Sequence, residues 1–507
     1  MELLSPAGNV EKLSYAYAYG ADAAYIGLKR FSLRVKADNF YEDEYKRVIA
    51  LKEKYPGKKL HCALNIAFHN RDVDALLANL DYFKQYPIDA FIVQDIGIVP
   101  ILQKHFPAAH LHVSTQASCM NRETVKMYKS IGFDRVVLGR EVGLKEIREI
   151  KDAVPDMEIE VFAHGAMCIA YSGRCLMSAY LTGRSAQSGF CSHTCRWEYD
   201  LGVESGRAKS ENALAKLNET GGVISSEAAK EIAQSGILRL QERQRPGELF
   251  PVFEGDDFTA ILSSKDLCMI DHLDDLQAAG VDSLKIEGRM KSIYYVAMVT
   301  RAYRKALDAL EGKITHEKAM PFIASLEDVA HRESTTGFYY SRTDADKTTV
   351  GASDSPYMLG AQVLDRLSDS EEAAVLDRAR AMLSERADKL AAMHPEARAA
   401  LERDWAQHPE KCPAAVEARE GWHFYRYNPL NKTDAGTALE FITPDVLSQT
   451  VAASDYLFVN PETGALLPWV NPDHPAVIYT PLAIADGTLV RVKDEGYEPG
   501  KVRTTGR

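Results

Sequence analysis

The chain has 507 residues, of which 46% are hydrophobic and 26% charged, with a formal net charge of −12 and eight cysteines. That length supports a large core and two or three domains, while the acidic balance argues against indiscriminate nucleic-acid binding and leaves a local basic patch open. No uncharged apolar run reaches the roughly 18 residues that span a bilayer, and "MELLSPAGN" lacks a basic segment before an apolar core, so a cytoplasmic, reducing address is expected.

One unit recurs through the first three hundred residues: a short apolar run, a polar residue at its end, then an amphipathic helical stretch. The runs are "ELLSPAGN" (2–9), "AAYIGL" (23–28), "LHCALNIAF" (60–68), "AFIVQD" (90–95), "LHVSTQ" (111–116), "RVVLGRE" (135–141), "EIEVFAHG" (158–165) and "SLKIEGR" (283–289). Strands alternating with helices imply parallel pairing, and eight units match a (β/α)8 TIM-like barrel, closed by "YYVAMVTRAYRKALDALEG" near residue 312. Two stretches interrupt the unit. Residues 202–250 read as a polar insertion, and "FTAILSSKDLCMIDHLDDLQAAG" reads as a short strand, a Ser-Ser cap and a helix with Asp266 in its first turn and Cys268 near its start. Residues 313–507 read as a smaller, mainly β domain, with strand-like "ESTTGFYYSR", "SDSPYMLGAQVLD", "NKTDAGTALEFITPD", "YLFVNPETGALLPWV" and "GTLVRV" around a helical insertion at about 369–418.

A barrel carries its chemistry at the C-terminal ends of its strands. Those ends bear Asn9, Asn65, Gln94, Asp95, Thr115, Gln116, Arg140, Glu141, His164, Lys285, Glu287 and Arg289. Polar residues there also cap the helices that follow, and Asn9 fits that role as well as a functional one. The alternation Lys285, Glu287, Arg289 would put three charges on one side of a strand, a costly arrangement without partners or a ligand.

Residues 164–197, "HGAMCIAYSGRCLMSAYLTGRSAQSGFCSHTCRW", hold four of the cysteines, spaced Cys168-x6-Cys175-x15-Cys191-x3-Cys195, immediately after the seventh strand. Small packing residues are the plain reading. The crowding favours metal ligation, with Arg174, Arg184 and Arg196 helping to keep thiolates ionised. Spacing alone does not separate a tetrathiolate zinc site from an iron–sulfur cluster. Cys62, Cys119 and Cys412 read as ordinary buried or loop cysteines.

Residues 160–178, "EVFAHGAMCIAYSGRCLMS", resemble the signature of the peptidase U32 family, E-x-F-x2-G-[SA]-hydrophobic-C-x4-G-x-C-x-hydrophobic-S, filled by Glu160, Phe162, Gly165, Ala166, Met167, Cys168, Gly173, Cys175, Met177 and Ser178. The resemblance extends to "LSPAGN", "YGADAAYIGL", "VSTQAS", "CSHTCRW", "SKDLC" and "SLKIEGRMKSIYYVA", and more weakly to "GFYYSR" and "LEFITPD". Members were first labelled collagenase-like proteases. The resemblance implies instead an oxygen-independent hydroxylase with a four-cysteine 4Fe–4S cluster, most like the branch that converts tRNA wobble uridine to 5-hydroxyuridine with prephenate as hydroxyl source. Other branches hydroxylate a cytidine of large-subunit ribosomal RNA or act on a small aromatic in ubiquinone synthesis. The insertions at 202–250 and 369–418 depart from the compact tRNA branch.

Carried over by position, the cluster ligands are Cys168, Cys175, Cys191 and Cys268, with Cys195 as the alternate ligand and zinc as the alternative metal. RNA, tRNA first, is the expected macromolecular substrate, a small carboxylate the co-substrate, and a homo-oligomer is compatible with the chain. Glu287 and His164 are the candidate proton carriers, Lys285 and Arg289 candidate catalytic cations, and Arg140, Gln116 and Asn65 candidate substrate-binding groups. Trp197 is an aromatic that could stack on a base, although packing is the plainer role. The peptidase alternative lacks an H-E-x-x-H or G-x-S-x-G pattern.

Overall fold

The computed structural model describes residues 1–28, 31–32, 40, 43–168, 170, 172, 175, 264–341, 355–408, 412, 414–485 and 487–494, together with the backbone of four short strands between residues 239 and 260. Seven strands come first: β1 (Glu2–Pro6), β2 (Ala23–Ile26), β3 (Lys59–Leu64), β4 (Ala90–Val93), β5 (His110–Val113), β6 (Arg135–Val137) and β7 (Glu158–Ala166). They pair in sequence order, and the strand Ser283–Ile286 joins β7 to β1 in parallel and closes an eight-stranded barrel. The runs are short and apolar because helices cover them outside while side chains fill them inside. Helices α1 (Val10–Ala18) and α2 (Arg122–Ser130) start on the side-chain oxygens of Asn9 and Asn121, which accept from the amides of Lys12 and Thr124. The helix Ile293–Leu310 packs against β1 and α1 with twelve buried residues.

Asp266–Cys268 departs from the sequence reading. It is a β-strand, antiparallel to the upper half of β7, and the helix starts later, at Leu273. Its extended form is fixed by two neighbours, since Ser334–Thr335 pairs along its other side. Asp266 is not a helix-start acid: its carboxylate takes the amide and guanidinium of Arg332 in a buried pair.

The barrel also keeps more chain than expected. Beyond Gly312, the helix His316–Ala324 packs on Ile293–Leu310, the Tyr339 hydroxyl donates to Phe162 O at 2.6 Å, and the Leu144 amide donates to Tyr339 O at 3.0 Å. Residues 313–341 therefore belong structurally with the barrel. Among the described residues of "ESTTGFYYSR", the strand is Ser334–Thr335.

The remaining domain is a seven-stranded antiparallel sheet in the order Gln449–Val451, Leu439–Ile442, Leu489–Lys493, Tyr357–Arg366, His423–Pro429, Ala476–Thr480, Leu457–Val459. Helices Asp369–Ala392 and Pro395–Gln407 fill most of the expected helical insertion. Arg301 joins the two bodies. It is 1% exposed, and Nη1 donates to the carbonyls of Thr443, Val446 and Leu447 at 2.8, 2.9 and 3.3 Å. Ile442 and Leu489 bury themselves in the barrel's own hydrophobic cluster. Among the described residues no helix is long and apolar enough to cross a membrane. The 202–250 insertion, Cys191, Cys195, Arg174, Arg184, Arg196 and Trp197 lie outside the described residues, apart from the backbone of the strand pair Arg239–Gln241 and Leu249–Pro251.

Candidate active site at the barrel mouth

The floor of the barrel is polar. Arg135, at the start of β6, donates to Glu2 at 2.6 Å, to Glu160 at 2.8 Å and to Glu158 at 2.7 Å. Glu160 is fully buried, and its other oxygen takes the Lys285 ammonium at 2.8 Å. Burial pushes Glu160 up, yet the Lys285 and Arg135 charges outweigh it and hold the carboxyl below its ordinary range. Glu2 responds alike: burial raises it, and Arg135, with help from His61 and Lys59, brings it down to about 2. His61 and His112 meet edge to face at 4.8 Å, and burial pushes both toward the neutral form.

Above this floor, Lys285 lies 4.6 Å from the centre of the Tyr25 ring. Its strand ends one residue later at Ile286, beside a β-bulge against β7. Glu287 and Arg289 therefore belong to the connection that follows, and the three charges separate. Lys285 points into the barrel at Glu160, while Glu287 takes Arg140 Nη2 at 3.2 Å. Arg289 is 3% exposed and donates to Ser32 Oγ at 2.7 Å. Two glycines admit it: a Cβ on Gly8 would sit 2.2 Å from Arg289 O, and one on Gly27 would sit 2.3 Å from its Nη1.

Arg140 stacks its guanidinium 3.9 Å from the centre of the Phe162 ring. The Arg140–Glu287 pair is partly open, with side-chain exposures of 14% and 18%. A planar cation over an aromatic face, held by a carboxylate, can accept either an anionic group or a flat base. Asn65 and Gln116 are half-buried at the ends of β3 and β5. Several other strand-end residues serve the scaffold. Asp95 receives the amides of Gly97 and Phe68, Thr115 donates to Leu138 O, and Asn9 caps α1.

The cysteine loop leaves β7 at this same end. Glu141 accepts from the Ser172 amide at 3.0 Å, Ser118 Oγ donates to Ser172 O, and Ser264 Oγ donates to Met167 O at 2.9 Å. These bonds tie the loop to β-strand ends on both sides. Cys168 is exposed and Cys175 half-buried, while Cys268 lies opposite His164 in the β7 ladder. Among the described residues no three acidic, histidine or cysteine side chains gather as metal ligands. Two of the five candidate thiols, Cys191 and Cys195, are outside that set. Cys62 and Cys119 are buried and Cys412 is half-buried, as expected for packing cysteines.

His164 is 8% exposed and lies between two tyrosines of the helix Ile293–Leu310, with ring centres 6.0 Å from Tyr295 and 5.5 Å from Tyr303. Burial lowers its imidazole to about 4 against the opposing pull of Asp266, so it is neutral near pH 7. The Tyr295 hydroxyl donates to Glu287 O at 2.8 Å and the Tyr303 hydroxyl to Ala163 O at 2.7 Å. The sequence reading passed over both tyrosines because they sit in an ordinary amphipathic helix. Their spacing of eight, about two turns, was the available signal that both face β7.

The model of peptidase family U32 matches residues 8–349. The chain is 41% identical over 353 residues to tRNA hydroxylation protein P of Escherichia coli (strain K12), covering 68% of this chain and 76% of that one. It is 38% identical over 342 residues to tRNA hydroxylation protein P1 of Bacillus subtilis (strain 168), covering 67% and 70%. It is 34% identical over 374 residues to a 23S rRNA 5-hydroxycytidine synthase of Escherichia coli (strain K12), covering 72% of this chain and 48% of that one.

Proposed function

The chain belongs to peptidase family U32, and from that premise we propose that it is an RNA-modifying enzyme that hydroxylates a pyrimidine base, with tRNA wobble uridine as substrate and 5-hydroxyuridine as product. The observation that carries this reading is the similarity, over two thirds of the chain, to proteins named for tRNA hydroxylation. The ribosomal relative supports the same chemistry on a different RNA.

A base drawn out of its stack would enter the mouth over Phe162 and Arg140. Arg140 binds the carboxylate of a prephenate-like co-substrate, and to do so it exchanges Glu287 for the incoming anion. The released Glu287 carboxylate is then placed to take a proton, while its backbone stays fixed by Tyr295. Buried and neutral, His164 accepts a hydrogen bond rather than supplying charge. Lys285 and Arg289 are held by Glu160 and Ser32, so they act as fixed positive charges behind the site.

The thiol donors suit a soft metal centre. Cys168, Cys175, Cys191 and Cys268 would hold a 4Fe–4S cluster, with Cys195 as alternate and zinc as the alternative metal, and the three loop anchors at Met167 and Ser172 fit that use. Bound there, a cluster supplies one-electron chemistry without oxygen.

The test is anaerobic purification with iron, sulfide and zinc quantified, for wild type and for single Cys→Ser variants at 168, 175, 191, 195 and 268. About four irons and four sulfides per chain, lost from the four ligand variants and kept at Cys195→Ser, supports the assignment. Stoichiometric zinc without sulfide overturns it. With the centre intact, Arg140→Ala should raise KM for the carboxylate co-substrate at least tenfold, from loss of a charge-assisted bond worth about 1.5–3 kcal/mol. An unchanged KM would remove Arg140 from the site.

A further inference from the structure

We propose that Tyr339 positions the Arg140–Phe162 platform and so sets how tightly the site holds its carboxylate co-substrate. The inference rests on the reading of that platform as the anion seat and adds to it a residue from beyond the last barrel strand.

β6 is three residues long and β7 nine, so the two do not pair along the whole of β7. Their ladder reaches Val137 opposite Glu160, and just past it the Leu138 amide donates to Glu160 O at 3.0 Å. There the chain turns away from β7 toward the loop after β5. Thr115 Oγ1 donates to Leu138 O at 3.1 Å, and the Gly139 amide donates to Cys119 O at 2.9 Å. Peptide groups two apart on a strand face the same way. Phe162, two residues beyond Glu160, therefore turns its carbonyl toward the side that β6 has left. The Tyr339 hydroxyl donates to that carbonyl at 2.6 Å.

The same residue holds the other side of the opening. Tyr339 O accepts the Leu144 amide at 3.0 Å, at the start of the helix Leu144–Ala153 that follows β6. Residues 138–143 lie between β6 and that helix, and they carry Arg140, whose guanidinium stacks 3.9 Å from the centre of the Phe162 ring. Tyr339, 6% exposed, thus bolts the strand that supplies the ring to the connection that supplies the cation. Removing its hydroxyl takes a donor from Phe162 O and loosens the spacing between ring and guanidinium. Tyr339 touches neither co-substrate nor reacting atoms and is a positioning residue.

The experiment is calorimetric titration of prephenate into the anaerobic holoprotein, with steady-state kinetics on tRNA alongside. Tyr339→Phe keeps the ring and should raise Kd and KM for prephenate about three- to tenfold, the loss of one hydrogen bond, with kcat nearly unchanged. Tyr17→Phe removes a hydroxyl of the same kind at the opposite end of the barrel, where it donates to Lys59 O at 3.0 Å, and should leave both constants unchanged. A purely structural role would lower the fraction of binding-competent protein at unchanged Kd. That result, or equal shifts in the two variants, overturns the proposal. Should Tyr339→Phe fail to fold, Leu144→Pro cuts the bolt from its other side. Proline is tolerated at the first residue of a helix, and Gly143 before it is already extended, with φ −82° and ψ 165°. Leu144→Pro should also weaken prephenate binding, and an unchanged Kd there again overturns the proposal. Arg140→Ala separates the two levels. If it binds prephenate as tightly as wild type, the platform is not the anion seat and that reading falls together with this inference. If Arg140→Ala weakens binding and Tyr339→Phe does not, this inference alone falls.

Discussion

Glu160→Gln tests how the barrel tolerates charge at its centre. The substitution keeps shape and removes one charge from a fully buried side chain. Arg135 retains Glu2 and Glu158, so it remains paired. Lys285 does not fare as well, because among the described residues its carboxylate partner is Glu160. Leaving one buried charge uncompensated costs about 3–5 kcal/mol. With a urea m-value of about 3 kcal/mol/M, the midpoint of the apoprotein should fall by about 1 M or more. Lys285→Met added to Glu160→Gln should recover most of that loss, since the orphaned ammonium goes with it, although Lys285→Met alone is destabilising. The assay is urea unfolding by circular dichroism on the four proteins of the cycle. A midpoint shift under about 0.3 M for Glu160→Gln, or a double variant as damaged as the sum of the singles, would refute the reasoning.

Gly165→Ala should cost about 2–4 kcal/mol, because φ is +108° and the new Cβ would lie 2.6 Å from Glu287 O and 2.8 Å from the Tyr295 hydroxyl. Gly57→Ala, at φ +83° with nothing within 4 Å, should cost only about 1–2 kcal/mol by thermal melting; equal losses would mean that the close approach at Gly165 is unimportant. Arg301→Met should weaken the seat of the C-terminal domain by about 2–4 kcal/mol by stranding the Thr443, Val446 and Leu447 carbonyls, read as faster hydrogen exchange at 443–447, and unchanged exchange would contradict it. Acid should destabilise the fold in two stages. The folded values of His61 and His164 are lowered to about 4 from 6.5, so their stabilisation is full above pH 6.5 and falls as pH drops toward 4, by about 2 kcal/mol each at pH 5, with His112 acting in the same direction. Glu2, lowered from 4.5 to about 2, adds its loss below pH 4.5. A urea midpoint flat from pH 7 to pH 4.5 would contradict this.

The eight barrel strands were legible because each is a short apolar run closed by a polar residue, and burial on both faces leaves little else for such runs to do. Asp266–Cys268 was misread because its neighbours are remote: β7 and Ser334–Thr335 hold it extended, while local spacing and the following "HLDDLQAAG" suggest a helix. Three sheet strands of the second domain, His423–Pro429, Gln449–Val451 and Ala476–Thr480, were passed over. "HFYRYNP" does alternate, with Tyr425 and Tyr427 buried and Arg426 and Asn428 exposed, but it is short and begins beside a turn. At the site, the sequence pointed to charged residues without revealing their partners. Lys285 and Arg289 looked like ligands in waiting, and only three-dimensional pairing shows them engaged by Glu160 and Ser32. Glu160 belonged to the signature without a role, and its partner Arg135 was one residue of an apolar run.

Hydroxylation of tRNA is tested by nucleoside mass spectrometry of tRNA from a bacterial strain that lacks 5-hydroxyuridine, expressing either this chain or its Cys268→Ser variant. The expected outcome is that 5-hydroxyuridine or its derivatives reappear with the wild-type chain and not with the variant. Stable expression of the metal-loaded chain with no hydroxylated uridine in tRNA would contradict it.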